Sequence, residues 1–162
     1  MTDQRHWYVG VDWASQSHHV FLTDGDGRRI GERAFAHGGE GLAEMVAWLL
    51  AKSGAQEASQ IHAAIEVPHG PVVETLLERG FRVYAINPKQ VDRFRDRFSP
   101  AGAKDDSRDG KVMASGLRTD PQCFRELAAT DPVIIELREW SRISGDLGTE
   151  RNRLTHRLRE QL

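Results

Sequence analysis

Three stretches of this chain end in carboxylates, and two of them are apolar runs that have no evident use for a charge. Trp7-Tyr8-Val9-Gly10-Val11-Asp12-Trp13-Ala14 reads as a short buried strand. Tyr8, Val9, Val11 and Trp13 favour extended backbone, and Gly10 lets another backbone approach. Asp12 closes the apolar part of that run, where a charge is costly to bury unless a cation or hydrogen bonds compensate it. A turn aspartate accepting backbone N–H bonds would account for Asp12 taken alone. Glu66 repeats the arrangement at the end of Ile61-His62-Ala63-Ala64-Ile65-Glu66-Val67. Lys104-Asp105-Asp106-Ser107-Arg108-Asp109 then adds acid at a helix start. The three-residue spacing puts Asp106 and Asp109 on one helix face, with Asp105 pointing elsewhere. Acids at a helix start are ordinary, because they suit the dipole and the free N–H groups there. Three separate acidic termini, two of them on buried strands, are not ordinary.

Carboxylates that converge repel one another, and each resists ionising unless a divalent cation lies between them. Hard oxygen ligands suit Mg²⁺ or Mn²⁺. Two such ions a few ångströms apart are a general device for phosphodiester chemistry, one activating the attacking oxygen and one steadying the leaving oxygen.

The elements that must position these acids follow from hydrophobic period and turn signals. Residues 7–14, 17–24 and 28–36 read as three strands joined by short connections, Gly25-Asp26-Gly27 being a hairpin turn, so the fold opens as an antiparallel meander. Leu42, Met45, Val46, Leu49 and Leu50 then mark one helical stripe. The strand 61–67 is followed by a helix over 71–80 that Gly80 closes, and by a strand over 81–86 stopped at Asn87-Pro88. That order implies parallel crossover pairing. Asn87 is placed to cap the helix that Pro88 begins. Ser99-Pro100-Ala101-Gly102 reads as a loop, residues 105–117 as a helix, and the span between Pro121 and Pro132 as a loop or short helix. From Pro132 onward a long helix carries Leu137, Trp140, Leu147, Leu154 and Leu158 at roughly heptad spacing, interrupted by Ser144 and Arg151.

In order and spacing, Val9-Gly10-Val11-Asp12-Trp13-Ala14, Ile65-Glu66-Val67-Pro68-His69-Gly70, Ile86-Asn87-Pro88 and Lys104-Asp105-Asp106-Ser107-Arg108-Asp109-Gly110 resemble the N-terminal domain of the DEDD transposases. These insertion-sequence recombinases include the Piv-type DNA invertases and the bridge-RNA-guided recombinases. The resemblance covers about residues 7–119, with the long helix matching the family's coiled coil. It implies an α/β fold of the ribonuclease-H-like (RuvC-like) kind, with a mixed five-stranded sheet, flanking helices and a long C-terminal helix of coiled-coil type. It implies a division into a DEDD domain over 1–130 and the start of a coiled-coil helix over 131–162, with the family's C-terminal domain, which carries a serine nucleophile, absent from this chain. Asp12, Glu66, Asp106 and Asp109 take the places of the four acids, as catalytic residues and ligands of Mg²⁺ or Mn²⁺. Where the family has Lys-Thr-Asp this chain has Lys104-Asp105-Asp106, and helical phase favours Asp106, which shares a face with Asp109. The implied function is cutting and rejoining DNA strands for insertion-sequence mobility, with a structured guide RNA as a further partner. The full-length protein would act as a homo-oligomer, a dimer or a dimer of dimers.

Composition bounds these readings. The 162 residues suffice for one domain with a real core, and a mean hydropathy of −0.54 suits a soluble protein. No apolar run reaches the length of a membrane span, and Met1-Thr2-Asp3-Gln4-Arg5 lacks the apolar core of a signal peptide, so a cytoplasmic setting is expected, and the family resemblance implies a bacterial one. A single cysteine, Cys123, excludes an internal disulfide and a cysteine-based zinc site. The net charge of −2 does not announce a nucleic-acid binder, but cations cluster locally. Lys89, Arg93, Arg95, Lys104 and Arg108, with Arg151, Arg153 and Arg157 on the long helix, are the candidates for phosphate contact, against the plainer reading of solvated helix faces. Two rival classes stand beside the recombinase. An actin-like phosphotransferase would open with a similar meander, but Asp12-Trp13-Ala14-Ser15 lacks the glycine of its phosphate loop. A non-catalytic nucleic-acid-binding dimerisation module would keep the fold and the long helix without the chemistry.

Overall fold

A computed structural model describes residues 4–98, 106–129 and 132–160; of residues 106–108, 132–139 and 141 it describes the backbone only. Strands β1 (Trp7–Trp13), β2 (Ser17–Thr23) and β3 (Arg29–Ala36) form the antiparallel meander. Its second turn is built as the sequence suggests. Asp24 Oδ1 accepts from the backbone N–H groups of Asp26 and Arg28 at 3.0 and 2.9 Å, and Gly27 takes the φ of 84° that other residues resist. Helix α1 (Gly39–Ser53) leads to β4 (Ile61–Ile65), and α2 (Pro71–Glu78) leads to β5 (Arg82–Ala85). Asn87 Oδ1 accepts from the Lys89 N–H at 2.9 Å and so caps α3 (Pro88–Arg95). Helix α4 (Asp106–Thr119) and the long α5 (Pro132–Glu160) complete the helices.

With the edge strand β6 (Arg125–Leu127), the sheet runs β3-β2-β1-β4-β5-β6, with β1, β4 and β5 parallel and in register. This order is consistent with a ribonuclease-H-like fold. It has six strands among the described residues, where the sequence reading expects five. The addition is β6, antiparallel to β5 at the sheet edge. Three residues with one apolar side chain are too short for a period-2 signal. Leu127 enters the core, while Glu126 accepts two hydrogen bonds from Arg82, at 2.9 and 3.0 Å, on the neighbouring strand. A short charged edge of this kind discourages further strand pairing.

Alternation along the strands feeds two cores. Val9, Val11, Ile61, Ala63, Ile65 and Val83 face Leu42, Met45, Leu49 and Leu76 of α1 and α2. Ala64 and Tyr84 face Val91 and Phe94 of α3 and Val112, Met113 and Leu117 of α4. The same alternation sorts the paired histidines of β2. His18 is buried and shares a 3.1 Å hydrogen bond with His37, whereas the half-buried His19 meets Glu32 at 2.9 Å. Trp48, expected beside Leu49 and Leu50, packs edge-on to Phe35 and over Gly31.

The closest approach between layers is at Gly10. A Cβ built there would lie 1.8 Å from the carbonyl oxygen of Gly110, so strand and helix meet backbone to backbone. A Cβ at Gly110 would meet Phe21 Cβ at 3.1 Å and Gly10 O at 3.3 Å, a far milder crowding that shifts of a few tenths of an ångström would relieve. Gly10→Ala is therefore expected to cost at least about 3 kcal/mol in urea denaturation, because backbone cannot move aside as a side chain can. Gly110→Ala should stay within about 1 kcal/mol of the parent, as its crowding is offset by better helix propensity.

At the other end of the parallel strands His62 stacks on Tyr84 (5.6 Å, 12°) and meets His6 edge-on at 4.8 Å. Burial, followed by the charges of His6 and Arg82, pushes its pKa down to about 4. The unfolded chain then binds a proton near pH 6.5 that the folded chain refuses until about pH 4, so this contribution to stability is present above pH 6.5 and lost between those values. The melting temperature should fall across that window, and less steeply in His62→Phe, which keeps a ring on the stack without a titrating nitrogen.

Candidate active site

Asp12 and Glu66 come together through the parallel pairing of β1 and β4. The last registered pair is Val11↔Ile65, so the next residue on each strand is an acid, at the same end of the sheet. Val11 and Ile65 point into the α1/α2 core, and alternation sends Asp12 and Glu66 to the opposite face, where α3 and α4 lie. Both are half-buried.

Helix α4 brings the remaining acids. It begins at Asp106, and the Gly10–Gly110 contact seats its first turns against β1 two residues before Asp12. Asp109 is buried. The backbone of Asp106 lies one turn earlier; its side chain and that of Arg108 are outside the described residues, as are Lys104 and Asp105 entirely. All-carboxylate donors have the chemistry that Mg²⁺ or Mn²⁺ prefers. Among the described residues, no group of three or more His, Cys, Asp or Glu is placed to hold an ion. His69, in the turn after Glu66, is exposed.

Asp109 already has a cationic partner. Arg95 Nε and Nη2 donate to the two carboxylate oxygens of Asp109 at 2.6 and 2.8 Å, and Nη1 donates to Asp92. The hydrogen bonds to Asp109 are the largest cause of a raised Arg95 pKa, and the charges of Asp109, Asp92 and Glu66 add to it against the cost of burial. Arg95 thus lies within the field of two candidate ligands. This corrects the expectation that Arg95 offers its charge to nucleic acid: it is only 9% exposed and turned inward. The signal was available, since Val91, Phe94 and Arg95 fall at i, i+3 and i+4 on the buried stripe of α3. Lys89 and Arg93 lie on the solvent side of the same helix, and Arg151, Arg153 and Arg157 are exposed on α5.

Around this centre the surface mixes cations with rings. Arg97 sits over Phe94 at 4.6 Å and pairs with Asp120 at 2.9 Å, and Lys111 lies over the exposed Phe98 at 5.1 Å. A cavity of about 470 Å³ opens beside Glu66, with Ile86, Asn87, Pro88, Phe124 and Arg125 among its lining residues.

Comparison with known proteins bears on what this geometry is for. The family profile of the DEDD transposases of the IS110 type, described as "Transposase", matches residues 9–162. This chain belongs to that family. It is 78% identical over all its length to "Putative transposase y4uE" of Sinorhizobium fredii (strain NBRC 101917 / NGR234), covering 45% of that protein. It is 31% identical over 155 residues to "Mini-circle putative transposase for IS117" of Streptomyces coelicolor, covering 96% of this chain and 37% of that protein. The chain therefore spans less than half the length of these relatives. No helix among the described residues is long and apolar enough to cross a membrane.

The buried Arg95–Asp109 pair makes a measurable claim on stability. Removing one partner strands a buried charge, whereas removing both leaves an apolar contact. Asp109→Ala is expected to cost about 3 kcal/mol in chemical denaturation. Arg95→Met in the same chain should recover most of that loss.

Proposed function

We propose that this chain is the catalytic-metal domain of a DNA transposase, with Asp12, Glu66, Asp106 and Asp109 holding one or two Mg²⁺ or Mn²⁺ ions. The observation that carries the reading is the convergence of the in-register ends of β1 and β4 with the first turns of α4. Membership of an IS110-type transposase family supports DNA as the substrate. The ions would supply charge stabilisation to a phosphodiester undergoing cleavage or joining. The protein's own part is to hold the four carboxylates at one sheet end, with Lys89 and Arg93 of α3 exposed for phosphate contact and Lys104 and Arg108 preceding or beginning α4. The serine nucleophile expected of the family belongs to a further domain, so strand transfer needs the full-length protein. The division at about residue 130 follows the same proposal, with the DEDD domain before it and a coiled-coil arm after it.

The arm points to partners. Trp140, Ile143, Leu147, Leu154 and Leu158 expose between half and two-thirds of their surface on α5, and burying the remainder of each would contribute roughly 1–2 kcal/mol. A second copy of the chain is the occupant that brings two acid centres into one assembly, as joining two duplexes requires. Arg151, Arg153 and Arg157 beside that seam suit the backbone of DNA or of a structured guide RNA, read by shape because helix-borne arginines cannot enter a deep A-form groove.

Asp12→Ala in the full-length protein should reduce transposition at least about a hundredfold, given the several kcal/mol that metal-borne charge stabilisation contributes. Calorimetry on this chain should show Mg²⁺ or Mn²⁺ binding that Asp12→Ala and Glu66→Ala abolish. Wild-type transposition by Asp12→Ala would favour the non-catalytic dimerisation module instead. Sedimentation should show self-association weakened by Leu154→Asp, and nucleic-acid affinity should fall steeply with salt. A strict monomer with salt-independent binding would remove the assembly half of the proposal.

A further inference from the structure

The Arg95 guanidinium is fully engaged inside the candidate site. Two of its nitrogens lie on Asp109 and the third on Asp92, and it feels the charge of Glu66 from β4. A fork of this kind occupies the edge of the carboxylate that a hard divalent ion also prefers, and it places a full positive charge where that ion would sit. Both cannot be accommodated closely, because two cations around one carboxylate repel strongly in a water-poor site. Building on the four-acid reading above, we infer that Arg95 and the divalent ion exchange at Asp109: Arg95 is a positioning residue that keeps this carboxylate neutralised until an ion takes it.

The arrangement has the parts an exchange requires. Arg95 lies in the last turn of the eight-residue helix α3, so the exchange moves a side chain borne by a helix end and not by a strand. Asp92, one turn earlier on the same helix and exposed, holds one nitrogen throughout and offers the guanidinium a place to retreat. The pair also explains how Asp109 is tolerated in a buried position, since an unpaired carboxylate there would be costly.

Two measurements on this chain test the exchange. In the first, calorimetric Mn²⁺ affinity is compared among the parent, Arg95→Lys and Arg95→Gln. With its competitor removed, Arg95→Gln should bind Mn²⁺ at least about fivefold more tightly, with Arg95→Lys between, since an ammonium cannot fork onto both oxygens. Equal or weaker binding in a variant with unchanged circular dichroism overturns the exchange. The second measurement uses the unmodified chain, so it does not depend on the variants folding. The Arg95 Nε–H resonance, assigned by its loss in Arg95→Lys, should be protected from solvent without Mg²⁺ and should lose that protection in step with Mg²⁺ occupancy. Persistence of the protected signal at saturating Mg²⁺ shows that ion and arginine coexist, which overturns the exchange and leaves the four-acid reading standing. Absence of any ion binding that Asp12→Ala removes overturns both.

Discussion

The structure depends on one place where two backbones touch without side chains between them. At Gly10 the central strand presents a bare surface, and α4 crosses it at Gly110 close enough that a single methyl group would collide with a carbonyl. At that point the helix lies directly on the strand, while Val112, Met113 and Leu117 pack side chain to side chain beyond it. The contact sets the height of α4 above β1, and with it the distance between acids borne by the helix and acids borne by the strands. Asp109 precedes Gly110 by one residue, and Asp12 follows Gly10 by two. Both candidate acids thus lie within a residue or two of this backbone contact.

The second constraint is electrostatic. A buried carboxylate needs positive charge, and the domain supplies it to Asp109 from within through Arg95. A buried ion pair of this kind is weak evidence for stability, because desolvation consumes much of the attraction. Its value here is geometric. It ties α3 to α4 and fixes the orientation of a carboxylate that would otherwise choose among rotamers.

Much of this was legible in the residues. The meander, the crossover strands and the Asn87 cap follow from period and turn chemistry, and the bare approach at Gly10 follows from a glycine inside an apolar run. Asp12 and Glu66 could be paired because each ends its run and the connection between their strands contains a helix. The sixth strand could not be read, because Arg125-Glu126-Leu127 owes its extended form to the exposed edge of β5 and to Arg82 on that edge. Arg95 was misread for a related reason. Counting cations along α3 treats them as equivalent, whereas helical phase divides them into Lys89 and Arg93 outside and Arg95 inside. The family resemblance supplied what neither period nor composition holds, the assignment of four acids to one centre.

The register that unites Asp12 with Glu66 also has a temporal meaning. Strand β1 is made first, yet its central neighbour β4 follows only after the meander and α1, and α4 comes later still. Antiparallel β2 can fold back at once, while the parallel partner and the covering helix must wait for distant sequence, and such non-local pairings form slowly. A nascent chain emerging from the ribosome thus carries Asp12 long before it has a centre. The proposed centre is therefore assembled only when the whole sheet and its covering helix are in place.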